Sequence, residues 1–413
     1  TYLRMVAFDF GISPLFTWES IASAFFGGAL LGCCVVFKTS CLGGVLGLST
    51  YIKRLFWLEK KRYFFIGGMM IASIIIDATW KQVEELPPHD SLDTADRLKL
   101  FLRMVFGTFF LGLGSGLQCG CTSGHGLTGL ARLSYRSWFA VPVFMAVGLA
   151  SGTVFQSAHA FPPQGLNPDL EWFEGPIIAA CIAVGLLVAA LALTLLGKFG
   201  SDDLKVVGLL LGEALAGAGF ASGLLISGMA FPSKVAAFLD VASGSWDLCL
   251  PFVMGGGCCI TFPYFIGVEF LKLQNKTLLL KTPLELPPRN RMPDWTFIRG
   301  AIYFGFGWGL CSLTPCSLSV NIVGAPSWEI ATAYVSFAVG VLFNEIWEMA
   351  RSRLAAKPAQ APKDKKELPT ETAAGDQHEK KEPEGSLGDS STLDSEKPVA
   401  FDDVLEEGDS ISI

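Results

Sequence analysis

The chain has 413 residues, of which 51% are hydrophobic and only 17% charged, with a mean hydropathy of +0.46. That balance excludes an ordinary water-soluble domain and points to a membrane protein. Most of the net charge of −7 lies beyond residue 350, where 9 Lys and Arg stand against 15 Asp and Glu; the acidity belongs to a tail and implies no nucleic-acid partner.

Nine apolar stretches of about 20 residues follow one another, each long enough to span the hydrocarbon core of a bilayer. They centre near Ala29, Met70, Phe109, Phe144, Gly185, Gly212, Gly255, Gly307 and Val339. Lys53, Arg54, Lys60, Lys61 and Arg62 follow the first, Arg132 and Arg136 the third, and Lys198 and Lys205 the fifth. Lys272, Lys276, Lys281, Arg289 and Arg291 follow the seventh, and Arg351, Arg353 and Lys357 the ninth. Loops after the even-numbered stretches carry acids instead, among them Glu84, Glu85, Asp90, Asp93, Asp169, Glu171 and Glu174. Basic loops mark the cytoplasmic side, which predicts an N-terminus outside and a cytoplasmic C-terminal tail. Residues 1–350 are expected to form one transmembrane domain. Residues 351–413, poor in apolar side chains, are expected to form a disordered acidic tail. The first residue is Thr1 rather than Met, so an N-terminal targeting segment is expected to be absent from this chain.

The third stretch, Phe101 to Leu117, ends in a polar run, Cys119-Gly120-Cys121-Thr122-Ser123-Gly124-His125-Gly126, before the next opens at Trp138. A helix cannot break inside a bilayer unless the break is buried in protein or lines a cavity. Polar side chains at that depth mark a functional site. The eighth stretch repeats the pattern. Gly107, Gly112, Gly114, Gly116 and Leu117 recur at one offset as Gly300, Gly305, Gly307, Gly309 and Leu310, followed by Cys311-Ser312-Leu313-Thr314-Pro315-Cys316. A weaker match sets Gly28 and Gly32 against Gly219 and Gly223. An odd-numbered stretch thus matches an even-numbered one, which predicts an all-α fold of nine transmembrane helices and short half-helices. The two repeats, over about 18–156 and 204–349, should be inverted, as in transporters and channels.

Four breaks are visible, near Cys41, Cys121, Pro232 and Thr314. Thr314 before Pro315 has N-cap chemistry, and Thr122 or Ser123 would cap a half-helix from Gly124. Pro232-Ser233 opens a segment that closes on Asp240. Half-helices starting at membrane depth aim amide groups and partial positive charge at one region, which suits an anion. Lys234 would add a full charge there. Gly120 and Gly124 would let backbone approach a substrate. His125 reads equally as a substrate contact or as a hydrogen-bonded structural histidine. Most of the eleven cysteines read as packing residues. Cys119-Gly120-Cys121 has the wrong spacing for a redox pair, and no Cys/His cluster has zinc spacing; no metal or other cofactor is expected.

The run Gly120 to Ser134, Gly-Cys-Thr-Ser-Gly-His-Gly-Leu-Thr-Gly-Leu-Ala-Arg-Leu-Ser, resembles the signature of the YeeE/YedE sulphur-transport family. Ser222 to Met229 with Pro232, Lys234, Val235, Phe238, Leu239 and Asp240 resembles that family's later motif. Trp246-Asp247, Phe252 to Gly256, and Phe304 to Leu310 continue it. The resemblance covers roughly Phe26 to Phe343, as in a fusion of two half-size proteins. It implies uptake of thiosulfate across the plasma membrane through a path in which cysteines contact the ion in turn. Cys121 matches the motif cysteine and Cys41 that of the first break. At the last break Thr314 stands in the cysteine position, with Cys316 two residues on and Cys311 three before.

Two readings stay open. One is transport of thiosulfate or a related sulphur anion past thiols. The other is a thiol-independent channel or carrier for a small anion, which needs only half-helix dipoles. An intramembrane serine protease would need Gly-x-Ser-Gly and a histidine on another span, and neither is present, so no enzyme is expected. The expected partners are the anion, the lipid bilayer and, as a candidate, a soluble sulphur-carrier protein on the cytoplasmic side.

Overall fold

The computed structural model describes residues 17–49, 60–80, 93–161, 174–244, 246–284 and 286–355. Residues 351–355 of the expected disordered tail are instead helical, as the end of the last helix; the rest of the tail and the loop charges at Lys53, Arg54, Glu84, Glu85, Asp90, Asp169 and Glu171 lie outside the described residues.

The elements in order are α1 (Trp18–Phe37) running on as a π-helical turn (Lys38–Leu42), α2 (Lys60–Trp80), α3 (Thr94–Leu117), a π-helical segment (Thr122–Leu130) and α4 (Tyr135–Val154). There follow α5 (Ser157–Ala160), α6 (Glu174–Phe199), α7 (Asp202–Ile226), α8 (Pro232–Leu239), α9 (Cys249–Glu269), α10 (Trp295–Cys311), α11 (Pro315–Gly324) and α12 (Trp328–Ala355). Among the described residues nine helical segments are long and apolar enough to cross a bilayer, at the nine positions the sequence marks. The one non-helical pairing there is an isolated bridge between Lys276 and Pro283.

Glycine sets how these helices meet. α3 and α10 cross with backbones in contact. A Cβ on Gly107 would meet Cys311 and Gly307, and one on Gly114 would meet Phe304 and Gly300. In exchange, a Cβ on Gly300 would meet Gln118 and Leu117, and one on Gly307 would meet Gly107 and Leu111. Numbers rise on one helix as they fall on the other, so the matched helices are antiparallel and the repeats are inverted. The next layer obeys the same exchange. Gly112 seats on Phe337 of α12, and its counterpart Gly305 on Phe144 of α4. Gly116 faces Asn344, and Gly309 faces Ser151. Small residues let dispersion and Cα–H···O contacts replace the hydrophobic drive that lipid cannot supply.

The weaker repeat match needs a correction of two residues. Gly28 seats on Val253 and Gly256 on Phe25, where α1 meets α9. Gly217 seats on Phe65 and Gly68 on Ala214, where α7 meets α2. These contacts pair Gly28 with Gly217, not Gly219. Close backbone approach fixes the register, whereas Gly219 merely faces Cys34 and Leu186 side chains.

α6 lies outside this arrangement, packed on α1 and α7, and exposes Ile177, Val184, Leu187, Val188, Leu191 and Leu195 as a lipid-facing surface must. At the opposite extreme α10 and α11 are the most buried span, which places the last break in the protein interior.

Candidate functional site

Two of the four breaks meet. α3 ends at Gln118, Cys119 turns the chain with φ +55, and Cys121 caps the π-helical segment in extended conformation. The cap is thus Cys121, one residue before the expected hydroxyls, which frees Ser123 for another contact. On the other side α10 ends at Ser312, itself left-handed at φ +54, and Thr314 caps α11. Thr314 Oγ1 accepts the Ser317 N–H at 3.1 Å and Ser317 Oγ accepts the Thr314 N–H at 2.7 Å, a complete capping box followed by Pro315.

Between these two helix starts lies a buried group of thiols and hydroxyls. Cys121 Sγ is 3.2 Å from Ser123 Oγ, and the Cys316 thiol donates to the same Ser123 Oγ at 3.6 Å. Cys121 Sγ also faces the Cys316 thiol and the backbone N–H groups of Ser49 and Gly124. Ser123 and Cys316 are 193 residues apart, the offset that relates Gly107 to Gly300. They are counterparts under the repeat, so their hydrogen bond sits on the pseudo-two-fold axis. The same offset matches Cys121 with Thr314. At these two matched positions each break therefore presents one thiol and one hydroxyl, in opposite order.

Residues 8–150 match the family model described as sulphur transport, and residues 207–355 match a family of unknown function, DUF6691. A probable transporter of Xylella fastidiosa strain 9a5c is 39% identical over 100 residues, 24% of this chain and 65% of that protein. The match thus spans just under two thirds of that relative. A second probable transporter of the same strain is 27% identical over 129 residues, 31% of this chain and 89% of that one.

Within the stretch matched at residues 8–150, His125 holds the break in shape. Its Nδ1 pairs with Ser137 Oγ at 2.9 Å and its Nε2 with the Gln118 carbonyl at 3.1 Å, with the ring edge-on to Phe297. Both nitrogens are engaged and neither points to the thiols. Gly120 serves that ring, because a Cβ there would lie 2.6 Å from Nε2. Gly124 differs: a Cβ there would make only ordinary contact, with Gly47 Cα at 3.8 Å and the Leu46 carbonyl at 3.9 Å, so the loop after the first break packs against it.

The other residues singled out from sequence stand apart from this group. Cys41 lies inside the π-helical turn, beside Ser40 Oγ at 3.6 Å, and the chain bends only after it, at Gly43 and Gly44 with φ +78 and +80. Cys311 sits at the α3 crossing, its thiol toward the Leu313 carbonyl at 3.8 Å. The stem of Lys234 covers Gly228, and its charge acts on Cys249 rather than on Cys121.

Three contributors carry no signal in the sequence. Ser49 brings its backbone to Cys121 from the far end of the loop after Cys41, and its own buried Oγ has no partner among the described residues. Gln118 donates through Nε2 to the Gly120 carbonyl at 3.1 Å. Lys38 makes a buried ion pair with Glu213 at 2.6 Å, each about 3% exposed, which ties the first break to α7. Arg132, read in the sequence as a loop cation, anchors the exit of the π-helical segment to Glu269 and to the Pro287 carbonyl.

Proposed function

We propose that this protein is a membrane transporter that carries thiosulfate or a related small sulphur-containing anion past the thiols of Cys121 and Cys316. The observation behind it is the single hydroxyl of Ser123, which bridges two buried thiols from opposite repeats where two helix N-termini converge. A dianion leaving water needs donors and partial positive charge. First-turn amides of the π-helical segment and of α11 supply the charge, and the two thiols and the hydroxyl supply weak donors. Weak donors in series let an ion bind and leave again, as conduction demands. Thr314 is the cap that aims α11, and His125 with Gln118 fixes the loop that presents Cys121. The same reading places the Cys41 break next along the path, joined to the Cys121 break through the Gly43–Ser49 loop. The basic loops put the N-terminus outside and the tail in the cytoplasm.

A second reading has one observation in its favour: Thr314, not cysteine, stands at the counterpart of Cys121. A plain anion conductor would need only the helix termini. Uptake of labelled thiosulfate, sulfate and sulfite into vesicles holding the pure protein separates the two. Thiosulfate uptake lost on thiol blocking supports the thiol path. Uptake of all three anions, unchanged by blocking, replaces it with the plain conductor.

A further inference from the structure

The α3–α10 pair carries a groove on its lipid-facing side, about 400 Å³ in volume, that the transport path does not use. Its floor is an aromatic stack. Phe110 meets Phe306 edge-on at 5.3 Å, and Phe306 meets Phe155 at 6.0 Å. Leu102, Phe106 and Leu310 complete the apolar walls. At one end stand two cations, Lys99 and Arg103, one turn apart on the same face of α3. Asp96 compensates Lys99 at 2.8 Å. Arg103 has no such relief: its Nη1 is buried without a hydrogen-bond partner among the described residues.

A guanidinium at membrane depth that no carboxylate pairs with among the described residues is costly and favours an anion on its groove side. The groove says what kind. From Lys99 to Phe110 the helix rises ~16 Å, at about 1.5 Å per residue. That is close to half of the roughly 30 Å hydrocarbon core, or one leaflet. A cationic rim above an apolar channel one leaflet deep has the shape and polarity of a phospholipid. A free inorganic anion would leave the aromatic floor uncovered, and a neutral lipid would leave Arg103 unpaired.

We propose that this groove is a binding site for one anionic glycerophospholipid, its phosphate held by Arg103 and Lys99 and an acyl chain lying over Phe106, Phe110, Phe306 and Phe155. Guanidinium suits phosphate because its donors can bind two oxygens at once.

The test uses the full chain, purified in detergent and exposed to equal amounts of phosphatidylglycerol and phosphatidylcholine, with retained lipid read by native mass spectrometry. Wild type should retain one phosphatidylglycerol about tenfold over phosphatidylcholine, the scale of one charge-assisted hydrogen bond. Arg103→Gln should bring the two lipids to parity. Leu102→Trp, which fills the groove from an exposed wall and keeps the charge, should lower retention of both and guards against a folding defect in the first variant. The proposal is overturned if wild type shows no preference, if Arg103→Gln keeps it, or if the retained species is a fatty acid or a neutral lipid.

Discussion

Replacing the two thiols singly and together tests the site on the pseudo-two-fold axis. Cys121→Ala removes the atom 3.2 Å from Ser123 Oγ, and Cys316→Ala removes the donor at 3.6 Å. A lost hydrogen bond costs about 0.5–1.5 kcal/mol between neutral groups and about 1.5–3 kcal/mol where one partner is charged. A thiosulfate ion passing the thiols is charged, so each substitution should slow uptake about tenfold to a hundredfold, at about 1.4 kcal/mol per factor of ten. Because both thiols use the same hydroxyl, their effects should not multiply. A coupling of about 0.5–3 kcal/mol is typical of residues that share a partner. Rates of labelled thiosulfate uptake would be compared at equal reconstituted amounts, with Cys181→Ala on exposed α6 as the variant that should transport like wild type. If both single variants also match wild type, the thiol path is wrong. If the double variant equals the product of the singles, Ser123 does not couple the two breaks.

Gly307→Val should destabilise by about 1–3 kcal/mol or more, since its Cβ would meet backbone of α3 rather than a movable side chain, whereas Gly185→Ala, with open space around it, should be neutral; thermal unfolding in detergent reads both. Lys38→Met or Glu213→Gln alone should cost about 3–5 kcal/mol by stranding a buried charge, and the double variant Lys38→Met with Glu213→Met should recover most of it in the same assay. His125→Ala should lower stability and leave the anion preference unchanged, because its ring bonds Ser137 and Gln118 rather than the thiols; a changed preference among thiosulfate, sulfate and sulfite would give His125 a substrate role. Truncation after Leu354 should preserve membrane expression, since the nine candidate spans among the described residues all end before it.

The long-range architecture was legible because a bilayer imposes two simple rules. Spans must be long and apolar, and the offset of the glycine ladder is visible whatever the helices do between its rungs. The ladder also carried geometry: Gly107, Gly114, Gly300 and Gly307 recur because a backbone meets each of them. Where small residues only face side chains, spacing misled. Gly219 resembles a rung, yet the helix crossing uses Gly217. Contacts between residues far apart in sequence, such as Lys38 with Glu213 or Ser49 with Cys121, leave no local pattern. A lysine after an apolar stretch reads as a loop cation until its partner on another span is known.

At the site, the polar breaks and the Thr314-Pro315 cap were readable from local chemistry, but their division of labour was not. His125 and Gly120 read in sequence equally as substrate contacts or as structural residues beside Cys121, and only the folded loop shows the ring bonded on both nitrogens and seated over the glycine. The replacement of cysteine by Thr314 looks in sequence like the loss of a thiol. In the fold the hydroxyl closes a capping box, and the thiol reappears two residues later at Cys316, where it meets its own repeat counterpart Ser123. A residue that contacts its own counterpart must lie near the axis relating the two halves. A Cys-x-Ser break facing a Thr-x-Cys break therefore brings one thiol to that axis from the second repeat and a hydroxyl from the first, with Cys121 beside them. An ion crossing the axis would meet a thiol from each repeat with one hydroxyl between, although neither break repeats the other's sequence.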